Sequence, residues 1–158
     1  MQPVSTPRDN RLLAALPDED YERLAASLEP VSMPLGRSVY ESGGPQGYVY
    51  FPTSCIVSLL YVLEDGSSAE IAVTGCEGLV GIALFMGGDT TPSRAVVQSA
   101  GQGFRVRASV LKGQFDHGGA LQLLLLRFTQ ALITQMTQTA VCNRHHSVDQ
   151  QLCRWLLL

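Results

Sequence analysis

The sequence offers little positive charge to a nucleic acid. Its 158 residues carry 11 Lys and Arg against 14 Asp and Glu, and Lys112 is the single lysine. A formal charge of −3 and a pI near 5.5 argue against the basic surface with which proteins bind DNA or RNA. We therefore expect no DNA binding by these residues alone.

Signals for secretion or membrane insertion are also missing. The four cysteines include no close C-x-x-C pair, and the N-terminus lacks the charged and then apolar layout of a signal peptide. The longest apolar run, residues 121–142, contains Arg127 and several Gln and Thr, which a bilayer would not accept. The sequence predicts a cytoplasmic protein with no membrane span.

Histidine is absent from the first 116 residues. A metal-dependent jelly-roll enzyme of the cupin type needs two or three histidines and a carboxylate on its strands, and His117 follows the last predicted strand. One potential metal set remains near the C-terminus: Cys142, His145, His146 and Cys153. Its histidines are equally typical of polar residues at a helix C-terminus, where the helix dipole favours partial protonation. We predict no metal, no cofactor and no catalytic role.

The patterns that are present divide the chain into helices and strands. Residues 10–16 and 18–28 read as two short helices, and the long tract from 28 to 108 alternates short β-branched or aromatic runs with glycine turns. We predict strands near 28–33, 37–42, 47–52, 55–63, 68–74, 93–99 and 103–108. In FRVRAS, for example, arginines alternate with apolar residues, as in a strand with one face in the core. Many short antiparallel strands indicate a sandwich, jelly roll or barrel.

A long helix is predicted from about residue 120 to 143. One apolar stripe contains Leu121, Leu125, Phe128 and Leu132, and a second contains Leu126, Ile133, Met136 and Ala140. Because no charge occurs from 128 to 143, we expect one stripe to face the strands and the other a second copy of this helix. The sequence does not decide which stripe forms the homodimer seam. The candidate seam residues therefore come from both stripes: Leu121, Leu125, Phe128, Leu132, Met136 and Ala140.

The last helix begins with a capping box. Ser147 and Gln150 have the S-x-x-Q spacing of a helix start, and the following QLCRWLLL ends on an apolar run. An apolar end of this kind needs a surface to pack on, so we expect a further domain to follow.

The order of these parts resembles a known family. The segments ESGGPQGYVYFPTSC, EGLVGIALFMGG with SRAVVQSAG, and NRHHSVDQQLCRWLLL follow one another as in the cyclic-nucleotide-binding-like sensor domain of Crp/Fnr-family transcription regulators. The resemblance implies an α+β fold, in which an antiparallel β jelly roll carries N-terminal helices and a long C-terminal dimerisation helix. It also implies that DNA is read by a missing winged helix-turn-helix domain.

The same resemblance identifies the candidate effector site. In family members that bind cyclic nucleotides, a Gly-Glu pair meets the phosphate and ribose, and an Arg two positions before an Ala pairs with the phosphate. Here Gly81 is followed by Ile82, and Ser93 stands where the family has Arg, so Arg94 is expected on the opposite strand face. Thr137 falls near the position of the family's base-contacting hydroxyl. The candidate effector residues are Gly78, Gly81, Ile82, Ala83, Ser93, Arg94, Ala95 and Thr137.

The sequence thus predicts a sensor and dimerisation domain with a degenerate phosphate cassette. Its expected parts are an N-terminal helical cap (1–27), a jelly-roll sensing domain (28–118), a dimerisation helix (119–144) and a hinge with the first helix of the DNA-binding domain (145–158). Two alternatives stay open: a genuine cAMP- or cGMP-binding domain with other contacts, and the regulatory ligand domain of a channel or kinase. Iron–sulfur binding is not expected because no cysteine precedes Cys55, and Cys76 alone gives little support for haem.

Overall fold

The structure, a computed structural model, describes residues 5–157, apart from the side chain of Trp155. A 3-10 turn at Pro7–Asp9 precedes helices α1 (Arg11–Ala14) and α2 (Asp18–Ala25). Asn10 starts α1: its side-chain oxygen accepts hydrogen bonds from the backbone N–H groups of Leu12 and Leu13. The first turn of α2 contains three acidic residues, which favour the positive end of the helix dipole.

Seven strands follow, close to the predicted positions. Their bounds are β1 (Glu29–Met33), β2 (Ser38–Tyr40), β3 (Tyr48–Pro52), β4 (Ile56–Val62), β5 (Ser68–Thr74), β6 (Ser93–Ser99) and β7 (Gly101–Arg107). All pairings are antiparallel and form two sheets, in the orders β1-β7-β3 and β2-β6-β4-β5. The predicted antiparallel jelly roll is confirmed.

Three helices complete the described chain: α3 (Ala108–His117), α4 (Gly119–His145) and α5 (Val148–Leu156). The predicted capping box starts α5, because the Ser147 hydroxyl accepts from the Gln150 N–H and the Gln150 side chain accepts from the Ser147 N–H. α4 extends slightly beyond the predicted end near residue 143. Cys142 is buried and its carbonyl accepts from His146 N, so α4 continues to His145 before the chain turns. Leu158, in the predicted apolar end, lies outside the described residues.

The core has two parts that meet at β3. Val49 and Phe51 point into a cluster with the N-terminal helices, α3 and the first half of α4, whereas Tyr50 points into a cluster between the sheets and later α4. This alternation follows from the two-residue period of a strand. α4 therefore packs along both parts, with Leu121 and Leu125 in the first cluster and Leu132 in the second.

The helices of the described chain are too short or too polar to cross a bilayer.

Candidate functional site

A cavity of about 210 Å³ lies between the four-stranded sheet and α4. Its walls come from segments that are far apart in sequence, including β2, β4, β5, β6, the 3-10 turn Ile82–Leu84 and α4. Gln135 holds α4 in this place, because its side-chain oxygen accepts a hydrogen bond of 2.9 Å from the Val73 N–H in β5. The cavity is thus enclosed by the two elements that the sequence linked to effector binding and to dimerisation.

Four of the predicted effector residues line this cavity: Gly81, Ile82, Ala83 and Ser93. Gly81 has φ +112°, a left-handed conformation that glycine adopts without strain. It turns the chain from the Tyr50–Val80 bridge into the 3-10 turn, which brings Ile82 to the cavity.

The faces of β6 follow the expected alternation. Ser93 is buried and lines the cavity, while Arg94 is half-buried and is not among the lining residues. The Arg94 Nε atom lies 3.6 Å from a carboxylate oxygen of Glu41. Ala95 is fully buried in the core between the sheets and does not line the cavity. The guanidinium of Arg94 is therefore directed away from the place where a phosphate would need it.

Two other predicted effector residues do not line the cavity. Gly78 is packed against α4: a Cβ there would lie 2.3 Å from the Phe128 ring, so the glycine allows close approach of the helix. Thr137 is exposed on α4, and its hydroxyl donates to the Ile133 carbonyl at 2.9 Å. Both residues therefore interact with α4 and not with the cavity.

The dimer prediction needs correction at three residues. Leu121, Leu125 and Leu132 are 5%, 1% and 3% exposed because they pack into the chain's own core. Met136 and Phe128 are half-buried, and Met136 lines the cavity with Leu132. Of the predicted seam residues, Ala140 is exposed. Another face of α4 carries large exposed apolar side chains: Leu123, Leu126, Ile133 and Val141.

Three polar residues of the cavity, Tyr40, Gln46 and Thr91, are not among the predicted effector residues. Tyr40, Gln46 and Thr91 line it together with Ser93, and the Ser93 hydroxyl lies 3.0 Å from Thr91 Oγ1 and 3.4 Å from the Tyr40 hydroxyl. Burial raises the pKa of the Tyr40 phenol above its usual value. A tyrosine in a short strand and a glutamine in a glycine turn carry no periodic signal, so only the folded chain brings these groups together.

The lining of the cavity is uncharged. Among residues 5–157, those that line it include no Lys, Arg, His, Asp or Glu. A cyclic phosphate buried there would lack the cation that normally balances its charge. The residues present do not fit a cyclic nucleotide bound through its phosphate.

The cysteines and histidines form no cluster at this site. The described residues contain no group of three or more His, Cys, Asp or Glu that could hold a metal ion. Burial raises the pKa of Cys55 to about 11, so this thiol stays protonated in the core. Cys142 is buried, and its sulfur accepts from the Gln138 amide at 3.3 Å.

Comparisons with known proteins find similarity in structure but not in sequence. No protein-family model matches the chain, and no curated protein matches it. Among solved structures, the c-di-GMP-responsive global regulator CLP of Xanthomonas campestris is similar with a TM-score of 0.74 and 18% identity, over 89% of this chain and 70% of CLP. The sensor domain of the transcriptional regulator DNR of Pseudomonas aeruginosa has a TM-score of 0.61 and 20% identity, over 89% of this chain and 91% of that domain.

A third solved structure is a cyclic nucleotide-binding domain from Methylobacillus flagellatus KT, with a TM-score of 0.66 and 13% identity over 87% of this chain and 80% of that domain. At these identities the likeness concerns the fold. The chain therefore has the jelly-roll fold that cyclic nucleotide-binding domains and the sensor domains of transcriptional regulators share.

Proposed function

We propose that this chain is the effector-sensing and dimerisation domain of a Crp/Fnr-like bacterial transcription regulator in the cytoplasm. The observation that carries the proposal is that one face of α4 lines the cavity while another face is apolar and exposed. Leu132 and Met136 line the cavity, while Leu126 and Ile133 on another face of the helix are 45% and 48% exposed. A ligand in the cavity would touch the same helix that meets a second copy.

The proposed homodimer pairs the exposed apolar face of α4 with its symmetry mate. Leu123, Leu126, Ile133 and Val141 recur at intervals that keep them on one side of the helix. Packing two such faces together removes these side chains from water, at roughly 25 cal/mol per Å² of apolar surface. We infer that this face, and not the buried stripe, forms the seam.

DNA contact belongs, in this proposal, to a domain joined through α5. Val148, Leu152 and Leu156 are exposed apolar side chains on α5, as expected for a helix that packs within a further domain. No catalytic role is proposed, because the hydroxyls of the cavity have no His, Lys, Asp or Glu among the described lining residues to activate them.

The coupling can be tested with the four methionines of the chain. In protein labelled with 13C at the methionine methyl groups, Met136 reports on the cavity side of α4, while Met33 is buried in the core and Met86 is exposed. We expect the Met136 signal to move as the protein is diluted through dimer dissociation, with Met86 unchanged. A Met136 signal that stays fixed while light scattering shows the mass halving would refute coupling. A monomeric mass at all concentrations would refute the dimer.

A further inference from the structure

The cavity contains a carboxamide without a partner. The side-chain Nε2 and Oε1 atoms of Gln46 are buried and make no hydrogen bond within the described chain, although the residue lines the cavity. A buried amide with neither group paired is unfavourable, and folded proteins rarely keep one without a reason. The Gln46 amide therefore has an unused donor and an unused acceptor.

The backbone holds this side chain in position. The Gln46 N–H donates to the Asp89 carbonyl at 3.2 Å, and the Gly43 N–H donates to the Thr91 carbonyl at 2.8 Å. These bonds tie the glycine turn to the segment that enters β6. Gln46 is thereby kept on the same cavity as Thr91 and Ser93, whose hydroxyls lie 3.0 Å apart.

Apart from Gln46, Thr91, Ser93 and the Tyr40 hydroxyl, the cavity is apolar. Ile71, Ile82, Leu132 and Met136 contribute to its walls, and no charged side chain lines it among the described residues. Burying an ion in such surroundings costs far more than burying a neutral group that finds hydrogen-bond partners. The chemistry of the lining therefore favours a neutral molecule with a small polar edge.

We propose that the cavity binds an uncharged, mostly apolar small molecule through an amide or lactam edge that pairs with the Gln46 carboxamide. A primary amide or a lactam presents a donor and an acceptor side by side, which matches the N–H and C=O of glutamine in a two-bond pair. The inference rests on the proposed function, since it names the ligand class of the same sensing cavity.

Three probes of similar shape test this proposal: benzamide, benzoate and toluene. Each is titrated at pH 7.5 into the protein labelled at its methionine methyl groups, with Met136 as the reporter and Met86 as the control. We expect benzamide to move the Met136 signal saturably and at least tenfold more tightly than benzoate or toluene. If benzoate or toluene binds as tightly as benzamide or more tightly, the cavity does bind small molecules, but the proposal that it recognises an uncharged amide is overturned.

The failure of the underlying function gives a different result. If none of the three probes moves Met136 at its solubility limit, the cavity takes no ligand, and both this inference and the sensing role are contradicted.

The variant Gln46→Met isolates the carboxamide. Methionine has a similar length and no hydrogen-bonding amide, so benzamide binding should weaken about tenfold while toluene binding is kept. Because the native amide is unpaired, the unfolding midpoint of the variant should equal or exceed that of the wild type. An unfolding midpoint several degrees lower would mean that the Gln46 amide stabilises the fold. Unchanged benzamide affinity would mean that the amide does not contact the ligand. Either result would overturn the proposal.

Discussion

Asn10 shows how much one polar side chain can contribute to this fold. It is fully buried, and its amide donates hydrogen bonds of 2.8 Å to both the Pro52 and Gly78 carbonyls. Its side-chain oxygen accepts from the first N–H groups of α1. One residue thus caps a helix and attaches it to β3 and to the turn beneath α4.

Replacing Asn10 with Ala should therefore destabilise the protein by at least about 2.5 kcal/mol. The figure combines a lost cap, worth about 0.5–2 kcal/mol, with buried carbonyls left unpaired at about 1–3 kcal/mol each. Urea unfolding measures the loss, with the exposed Asn143→Ala as the control, which should change stability by less than about 0.5 kcal/mol. A loss of stability below about 1 kcal/mol for Asn10→Ala would contradict this prediction, because it would mean that water takes over the hydrogen bonds of the amide.

Ser93 and Arg94 show where residue-level reasoning from the sequence succeeds. The two-residue period of a strand is a local property, so the sequence predicts that these neighbours face opposite sides, and the structure places Ser93 alone on the cavity. Gln46 could not be found in this way. Its role depends on hydrogen bonds to the distant segment 89–91, which no local pattern records.

At the scale of the element, the proposed dimer depends on α4. Its inner face is occupied by the chain's own core, and its outer apolar face is exposed. The sequence predicts both stripes of such a helix, because helical periodicity reveals which residues are buried. It does not predict what buries them: Leu121, Leu125 and Leu132 are predicted seam residues, but in the structure they pack into the chain's own core.

The dimer seam can be tested with Leu126→Asp and Ile133→Asp. A carboxylate in an apolar seam would have to be desolvated or would keep the helices apart, so each variant should weaken dimerisation at least 100-fold. Sedimentation equilibrium measures the dissociation constant. Leu35→Asp is the matched control, because Leu35 is a 71% exposed leucine in the turn after β1, away from α4.

Both α4 variants should remain folded, since each replaces a half-exposed residue. Unfolding midpoints measured below the dimer dissociation constant check this directly. Dimers of wild-type affinity in both variants would place the seam elsewhere and would contradict the proposed face.

At the scale of the whole molecule, the fold was more predictable than the site. Seven strands and the helices around them follow from local periodicity, turns and caps, all of which are visible in the sequence. The cavity instead brings together the segment of Tyr40 and Gln46 with the distant Ile71 and Met136. Its neutral lining is a property of the tertiary structure, although Ser93, at the position where the resemblance expects an arginine, already predicts that no phosphate pair forms there.

The central claim is that the cavity of this jelly-roll fold has no site for a cyclic phosphate. It is tested most directly by a thermal-shift titration of the chain with cAMP, with cGMP and cyclic di-GMP alongside. A ligand at about 100 times its dissociation constant adds about 2.7 kcal/mol, which raises the midpoint of a domain of this size by several degrees. The account predicts no change in midpoint up to millimolar cAMP or cGMP. A saturable rise with either nucleotide would show that the cavity binds it without the arginine and glutamate, and would contradict the account.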